Sequence, residues 1–199
     1  MACYICGEAT DRDLCPACRQ NGLDLVFEVC LKSDEKDPIA VLEALMALPQ
    51  VPMHGPIHHV LVGAALLTAY HNAGGDVDLL PALGEMVRRG RQVPGAVCGY
   101  WGACGAGIST GMFLSIVTQS GPLAREVWRL PNQMTSQALA RISQHGGPRC
   151  CKRDSRLALE AAVAFVKEHL GVEMPLAPRR CSHAHLNAQC LGEACPFKG

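Results

Sequence analysis

Pro56-Ile57-His58-His59-Val60-Leu61-Val62-Gly63-Ala64-Ala65-Leu66-Leu67-Thr68-Ala69-Tyr70-His71-Asn72, closed by Gly74-Gly75, is the stretch whose reading decides the fold. Proline suits a first helical turn and glycines suit a helix end, so this reads as a helix from Pro56 to Asn72. Its apolar run, Val60 to Tyr70, is shorter than the roughly 18 residues a membrane span needs. His58 and His59 fall in the first turn, where the helix dipole disfavours a charged imidazole. A neutral imidazole can ligate a metal or accept a proton. With His54 just before them, three histidines lie within six residues, among prolines and glycine. His71, at the far end of the helix, reads as a surface residue.

No alternating apolar and polar pattern marks a strand on either side. Helices are expected at 21–36, leaving a cysteine knuckle, and at Pro38–Ala47, with Asp37 as its cap. Further helices are expected at 76–91, 108–117, 126–130, 132–145 and 154–170. The sequence therefore predicts a mainly α protein. One helical core, residues 20–172, carries an N-terminal zinc knuckle, residues 1–19, and a Cys-rich metal-binding tail, residues 173–199. Small residues after Gly63 and Gly107 suggest close helix packing, which a homodimer could also use.

Lys and Arg number 18, as do Asp and Glu, so no net charge draws the chain to nucleic acid. Aromatic residues make up 5%, which argues against a base-stacking surface. The N-terminus has no basic region followed by an apolar one, so no signal peptide is expected and the location reads as cytoplasmic. Reducing conditions there disfavour disulfides, yet twelve cysteines are present. All but Cys30 are clustered, which favours metal. Cys30 reads as a buried thiol.

Cys3-x2-Cys6-x8-Cys15-x2-Cys18 fills all four positions of a closed thiolate site, with zinc as the expected ion. A segment this short has no core of its own without metal. Gly95 to Gly107 holds Cys98 and Cys104 in a glycine-rich run that can bend around a bulky group. Ser109 and Thr110, just beyond it, could hydrogen-bond to whatever the thiols hold. Arg88, Arg89 and Arg91 read as a solvated helix end. Cys150 and Cys151 are adjacent, so their side chains point in different directions, one toward the Cys98–Cys104 site and one elsewhere. Beside Lys152 and Arg153 at a helix start, their pKa should be lowered. Cys181, Cys190 and Cys195, with His183 or His185 near them, form the last cluster. Zinc and an iron–sulfur cluster suit it equally.

Val51-Pro52-Met53-His54-Gly55-Pro56-x-His58-His59, Gln92-Val93-Pro94-Gly95-x2-Cys98-Gly99-Tyr100-x-Gly102-Ala103-Cys104-Gly105-Ala106, Gly146-Gly147-Pro148-Arg149-Cys150-Cys151-Lys152-Arg153 and the tail Cys181-x8-Cys190-Leu191-Gly192-x2-Cys195-Pro196-Phe197 carry a resemblance. Over nearly the whole chain they resemble the domain-of-unknown-function family 5714 of anaerobic bacteria and archaea. Some members of that family are fused to, or encoded beside, methyltransferase-like domains. The middle motif is also similar to a wider family named for its Cys, Gly-Cys-Ala, Cys, Cys pattern, which is redox-active or cluster-binding. The resemblance implies an anaerobic habitat and names no reaction.

Two readings follow. In one, Cys98, Cys104 and one of Cys150 and Cys151 hold an iron–sulfur cluster with an iron left open for a small-molecule substrate. His54, His58 or His59 is then the fourth ligand or a general acid/base for desulfuration, sulfur transfer or a lyase step. In the other, the thiols bind zinc or a cluster in a carrier or adaptor serving a partner enzyme such as a methyltransferase, or act as a metal-free redox dithiol.

Overall fold

The computed structural model describes residues 2–3, 6–11 and 15–198. Eight α-helices follow in chain order: α1 Pro16–Lys32, α2 Pro38–Met46, α3 His58–Asn72, α4 Leu79–Gly90, α5 Val97–Tyr100, α6 Gly105–Val117, α7 Arg129–Ser143 and α8 Cys151–Leu170. Two 3₁₀ turns, Ala184–Leu186 and Gly192–Ala194, punctuate the tail. The chain is mainly helical, as its pattern predicts. Among the described residues β structure is limited to one bridge, Ala2 to Ala9.

The helix that opened the sequence reading is the axis of the molecule. Every residue of α3 from His58 to Tyr70 is buried. It packs against α1, α2, α4, α6 and α8, while α7 closes the outside of α6 and α8. A helix apolar all round has no face to give to water, so neighbours must cover it on every side. No helix among the described residues is long and apolar enough to cross a membrane.

Small residues let the helices approach. A Cβ on Gly107 would come within 2.7 Å of Leu139, and one on Gly111 within 2.0 Å of the Thr135 hydroxyl. Gly63 takes the end of Met86 in the same way. Ser109 and Thr110 serve this packing rather than the thiols. Ser109 Oγ accepts the Gly63 N–H at 2.9 Å, and Thr110 Oγ1 donates to the Gly107 carbonyl.

Termini are set by local chemistry. Asp37 caps α2, its Oδ1 accepting the N–H of Ile39 and Ala40. Its Oδ2 accepts the N–H of Ala177 and lies 3.3 Å from Arg179, so one carboxylate ties the tail to α2. Gly171, at φ 69°, ends α8 in the left-handed conformation that glycine adopts without strain. Among the helices that begin earlier than their pattern suggests are α1 and α8. α1 starts at Pro16, inside the knuckle, because Pro suits the first turn and Cys15 Sγ accepts the Cys18 N–H. α8 starts at Cys151, because Cys150 Sγ accepts the Arg153 N–H as a cap.

Candidate metal centres

The N-terminal knuckle is a compact thiol group. The ligand sulfurs of Cys3, Cys6, Cys15 and Cys18 lie within 4.8 Å of one another, close enough to hold one metal ion. Cys6 and Cys15 approach to 3.7 Å. Four thiolates on a zinc ion, each about 2.3 Å from it, stand roughly 3.8 Å apart, so the group fits a tetrahedral ion. No other group of three or more Cys, His, Asp or Glu among the described residues is as tight.

The N-terminus of α8 is the second focus. Cys150 is its cap and Cys151 its first residue, and the two part company. Cys151 and Cys98 both lie within electrostatic reach of Cys104, although no three of these thiols come within 4.8 Å of one another. Burial first, then the charges of Asp154, Cys98 and Cys151, push the Cys104 thiol up to about 12. The Gly55 N–H lies at the Cys151 sulfur. Cys150 turns the other way. With Cys181, Cys190 and Cys195 it lines a cavity of about 100 Å³. Both Cys150 and Cys151 have raised pKa values, with burial the largest cause. The lowering expected from the helix start and its basic neighbours is outweighed, because desolvation disfavours a thiolate more than one cap N–H favours it.

The three histidines take three different positions. His59, in the first turn of α3, has Nδ1 3.2 Å from the Val93 carbonyl, which fixes that nitrogen as the donor. Its Nε2 faces Gly105, where an added Cβ would meet it at 2.3 Å. The bare nitrogen therefore abuts the residue after Cys104. A backbone carbonyl on one nitrogen with the other left bare is the usual arrangement of a ligating imidazole. His58 donates Nδ1–H to the Gly55 carbonyl at 3.0 Å, and its Nε2 is buried without a partner. Burial, then the charge of Lys152, pulls its pKa down to about 3. His54 Nε2 lies 3.3 Å from Asn187 Oδ1. Burial lowers its pKa too. All three pKa values are lowered with desolvation as the largest cause, in the direction the helix-start argument expects for His58 and His59 but for a different reason; His54 precedes the helix.

Residues that sequence pattern passes over surround the thiols. Lys152, Arg153, Asp154, Ser155 and Arg156 are all buried. A polar run of this kind ordinarily reads as solvated surface. Arg153 pairs with Asp154 at 2.9 Å and Arg156 with Glu43 of α2 at 2.6 Å. Lys152 donates to the Met46 carbonyl, and burial brings its pKa down to about 8. Arg153 Nη1 and Ser155 Oγ are buried without hydrogen-bond partners. Asn187 reaches Cys150 Sγ from the tail at 3.8 Å. Of the tail histidines, His183 donates to the Met46 carbonyl and His185 is exposed. The one signal in the sequence was the position of the run, directly after two cysteines.

A cleft of about 740 Å³ runs between α1 and the loops at 50–57 and 91–95. Gln50, His54, Gly55, Arg91 and Gly95 are on its walls. Arg91 is therefore on a cleft, whereas Arg88 and Arg89 pair with Glu85 on α4 as a solvated end should.

A family model described as a family of unknown function, DUF5714, matches residues 26–198. The knuckle lies outside the matched segment; α2 to α8 and the tail lie within it. Neither the curated proteins nor the solved structures contain a match to the chain.

Proposed function

We propose, for a chain that belongs to the DUF5714 family of unknown function, a zinc- and iron–sulfur-binding protein of a reducing, anaerobic cytoplasm. In this reading the knuckle holds zinc, and the centre at Cys98, Cys104 and Cys151 holds a cluster with one iron not bound by thiolate. The observation that carries it is the parting of Cys150 and Cys151. Cys151 parts from Cys150 and, with Cys98, lies within electrostatic reach of Cys104, which supports this reading. The bare Nε2 of His59 beside Gly105 supplies a reversible fourth ligand.

A cluster with an exchangeable iron binds sulfide, thiol or hydroxyl groups, which suits desulfuration, sulfur transfer or a lyase step. The chain's own residues have definite parts. His54, neutral and on the cleft wall, is the group placed to take or give a proton to a small molecule there. His58 stays neutral behind it and orients the Gly55 turn through the Gly55 carbonyl. Gln50, whose Oε1 is buried without a partner, and Arg91 offer polar contacts to a substrate in the cleft.

A carrier or adaptor for a partner enzyme is the second reading. Tyr100 is 85% and Trp101 67% exposed, beside Cys98. Two large rings left in water at the rim of a thiol site suit a docking protein.

Anaerobic purification, with iron, sulfide and zinc analysis and an absorption spectrum, tests the proposal. Absorption near about 400 nm that dithionite bleaches is expected. It should fall strongly in Cys104→Ala and Cys151→Ala, and added sulfide or thiol should change the spectrum of the reduced protein. Iron content unchanged in both variants sinks the proposal. Insensitivity to added sulfide leaves the adaptor in place of the enzyme.

A further inference from the structure

We infer that Cys150, Cys181, Cys190 and Cys195 are the four ligands of a closed four-iron, four-sulfide cluster. This site stands or falls separately from the Cys98–Cys104–Cys151 centre. Neither the spacing of the tail nor the helix pattern of α8 assigns Cys150 to it.

The thiols are already set as ligands. Cys150 Sγ accepts the Arg153 N–H at 3.5 Å and the Asn187 side-chain amide at 3.8 Å. Cys181 Sγ accepts the His183 N–H and Cys190 Sγ the Gly192 N–H, both at 3.4 Å. Hydrogen bonds to sulfur stabilise cluster thiolates and tune their potential. The cavity they share has Met53 and Leu191 on its wall and no histidine. All four ligand positions are thus cysteine.

Size separates a cluster from a single ion. Thiolates on one zinc stand about 3.8 Å apart. The knuckle thiols meet that requirement, whereas no three of these four come within 4.8 Å of one another. The four thiols line one cavity without the single-ion spacing of the knuckle, and a cubane is the larger thiolate-bound group we assign to it.

Charge and packing point the same way. Arg153, 4% exposed, lines the cavity, and its Nη1 has no hydrogen-bond partner. Lys152, Arg153 and Arg156 are three buried cations facing two carboxylates, Asp154 and Glu43. Arg153 and Arg156 on the cavity wall are paired with Asp154 and Glu43, and Arg153 still has Nη1 free to meet an anionic occupant. A cubane with four thiolates is an anion. The tail also lacks a core of its own: between Cys181 and Lys198 only Asn187 and Phe197 are buried. The Cys181 N–H donates to the Phe197 carbonyl at 2.6 Å, which brings the ends of this segment together. A bound cluster supplies the rest of what orders it.

The test uses full-length protein purified without oxygen, with Cys150→Ser, Cys195→Ser and Cys104→Ser prepared alongside. Iron, sulfide and zinc are counted per chain. Electron paramagnetic resonance is recorded after dithionite adds one electron to the cluster. Cys150→Ser and Cys195→Ser should each lose about four irons and four sulfides and a reduced-cubane signal, while keeping the zinc of the knuckle. Cys104→Ser should keep that signal, whatever happens to the other centre. Iron and signal intact in both Cys150→Ser and Cys195→Ser would overturn the inference. So would wild-type protein with a second zinc and no sulfide. If the tail variants prove insoluble, Mössbauer spectra of the wild type decide: absence of a cubane with four cysteine ligands refutes the site.

Discussion

Cys30 sits on α1 with no exposure to solvent and no part in any thiol group. Burial, offset a little by a hydrogen bond from Thr68, pushes its pKa up to about 11 from a starting value of 9.0. The folded state therefore holds this proton to higher pH than the unfolded chain does. Its contribution to stability is complete below about pH 9 and is lost as pH rises toward 11, about 2–3 kcal/mol in all. Urea unfolding at pH 7 and pH 10.5 should show wild type losing more stability over that interval than Cys30→Ala. Equal losses would show that the buried thiol titrates normally. The thiols of the centres differ from Cys30 in what surrounds them. Cys150, Cys181 and Cys190 have N–H groups aimed at sulfur. Sequence could name every one of these cysteines. It could not tell which had donors, because the donors come from the next turn of backbone and, for Asn187, from 37 residues away.

Among the elements, α6 shows best how spacing becomes packing. Its glycines at 107 and 111 lie one turn apart and form a flat face for α7. Gly111→Ala would drive a Cβ to 2.0 Å from the Thr135 hydroxyl and 2.9 Å from the Pro131 carbonyl. Overpacking against backbone should cost about 1–3 kcal/mol. Gly84, exposed on α4, has nothing within 4 Å of an added Cβ. Gly84→Ala should therefore stabilise by about 0.5–1 kcal/mol, since helix interior glycine carries an entropic penalty there. Thermal melts of the pair should move in opposite directions; a shared direction would contradict the packing described for α6. α8 teaches the reverse lesson. Leu157, Ala161, Val163, Ala164, Phe165 and Leu170 read as its apolar positions; Leu157, Val163 and Phe165 are buried, Ala161 and Leu170 half-buried, and Ala164 is exposed. Its first turns, Lys152 to Arg156, carry no apolar signal and are buried as well. Only the helices and tail packed over them could reveal that.

On the scale of the whole molecule, the knuckle and the main core are separate hydrophobic groups. Cys3 and Cys15, with Cys18 against them, form the small one; the helices other than α5 build the large one around α3. They are joined by α1, which begins between Cys15 and Cys18. Removing metal from the knuckle should loosen the chain before α1 and leave the large core intact. Treatment with a zinc chelator should thus expose a protease cut ahead of Pro16 with little loss of helical ellipticity. Cooperative collapse of the helix signal would mean that the knuckle supports the entire fold.

The sequence by itself determined the helical class, the helix that follows Pro56, and the four-cysteine spacing of the knuckle. Each of these depends on contacts between residues a few positions apart, where proline, glycine and Cys-x-x-Cys spacing fix the geometry. Tertiary structure alone decided which distant thiols line one cavity or fall within electrostatic reach of one another. Cys150 and Cys151 are neighbours in the chain, yet the cap geometry at the start of α8 sends one to the tail and the other toward α6. Which sulfurs lie on the far side of each is set by helix packing and by how the tail wraps. Those are long-range arrangements that no local spacing encodes.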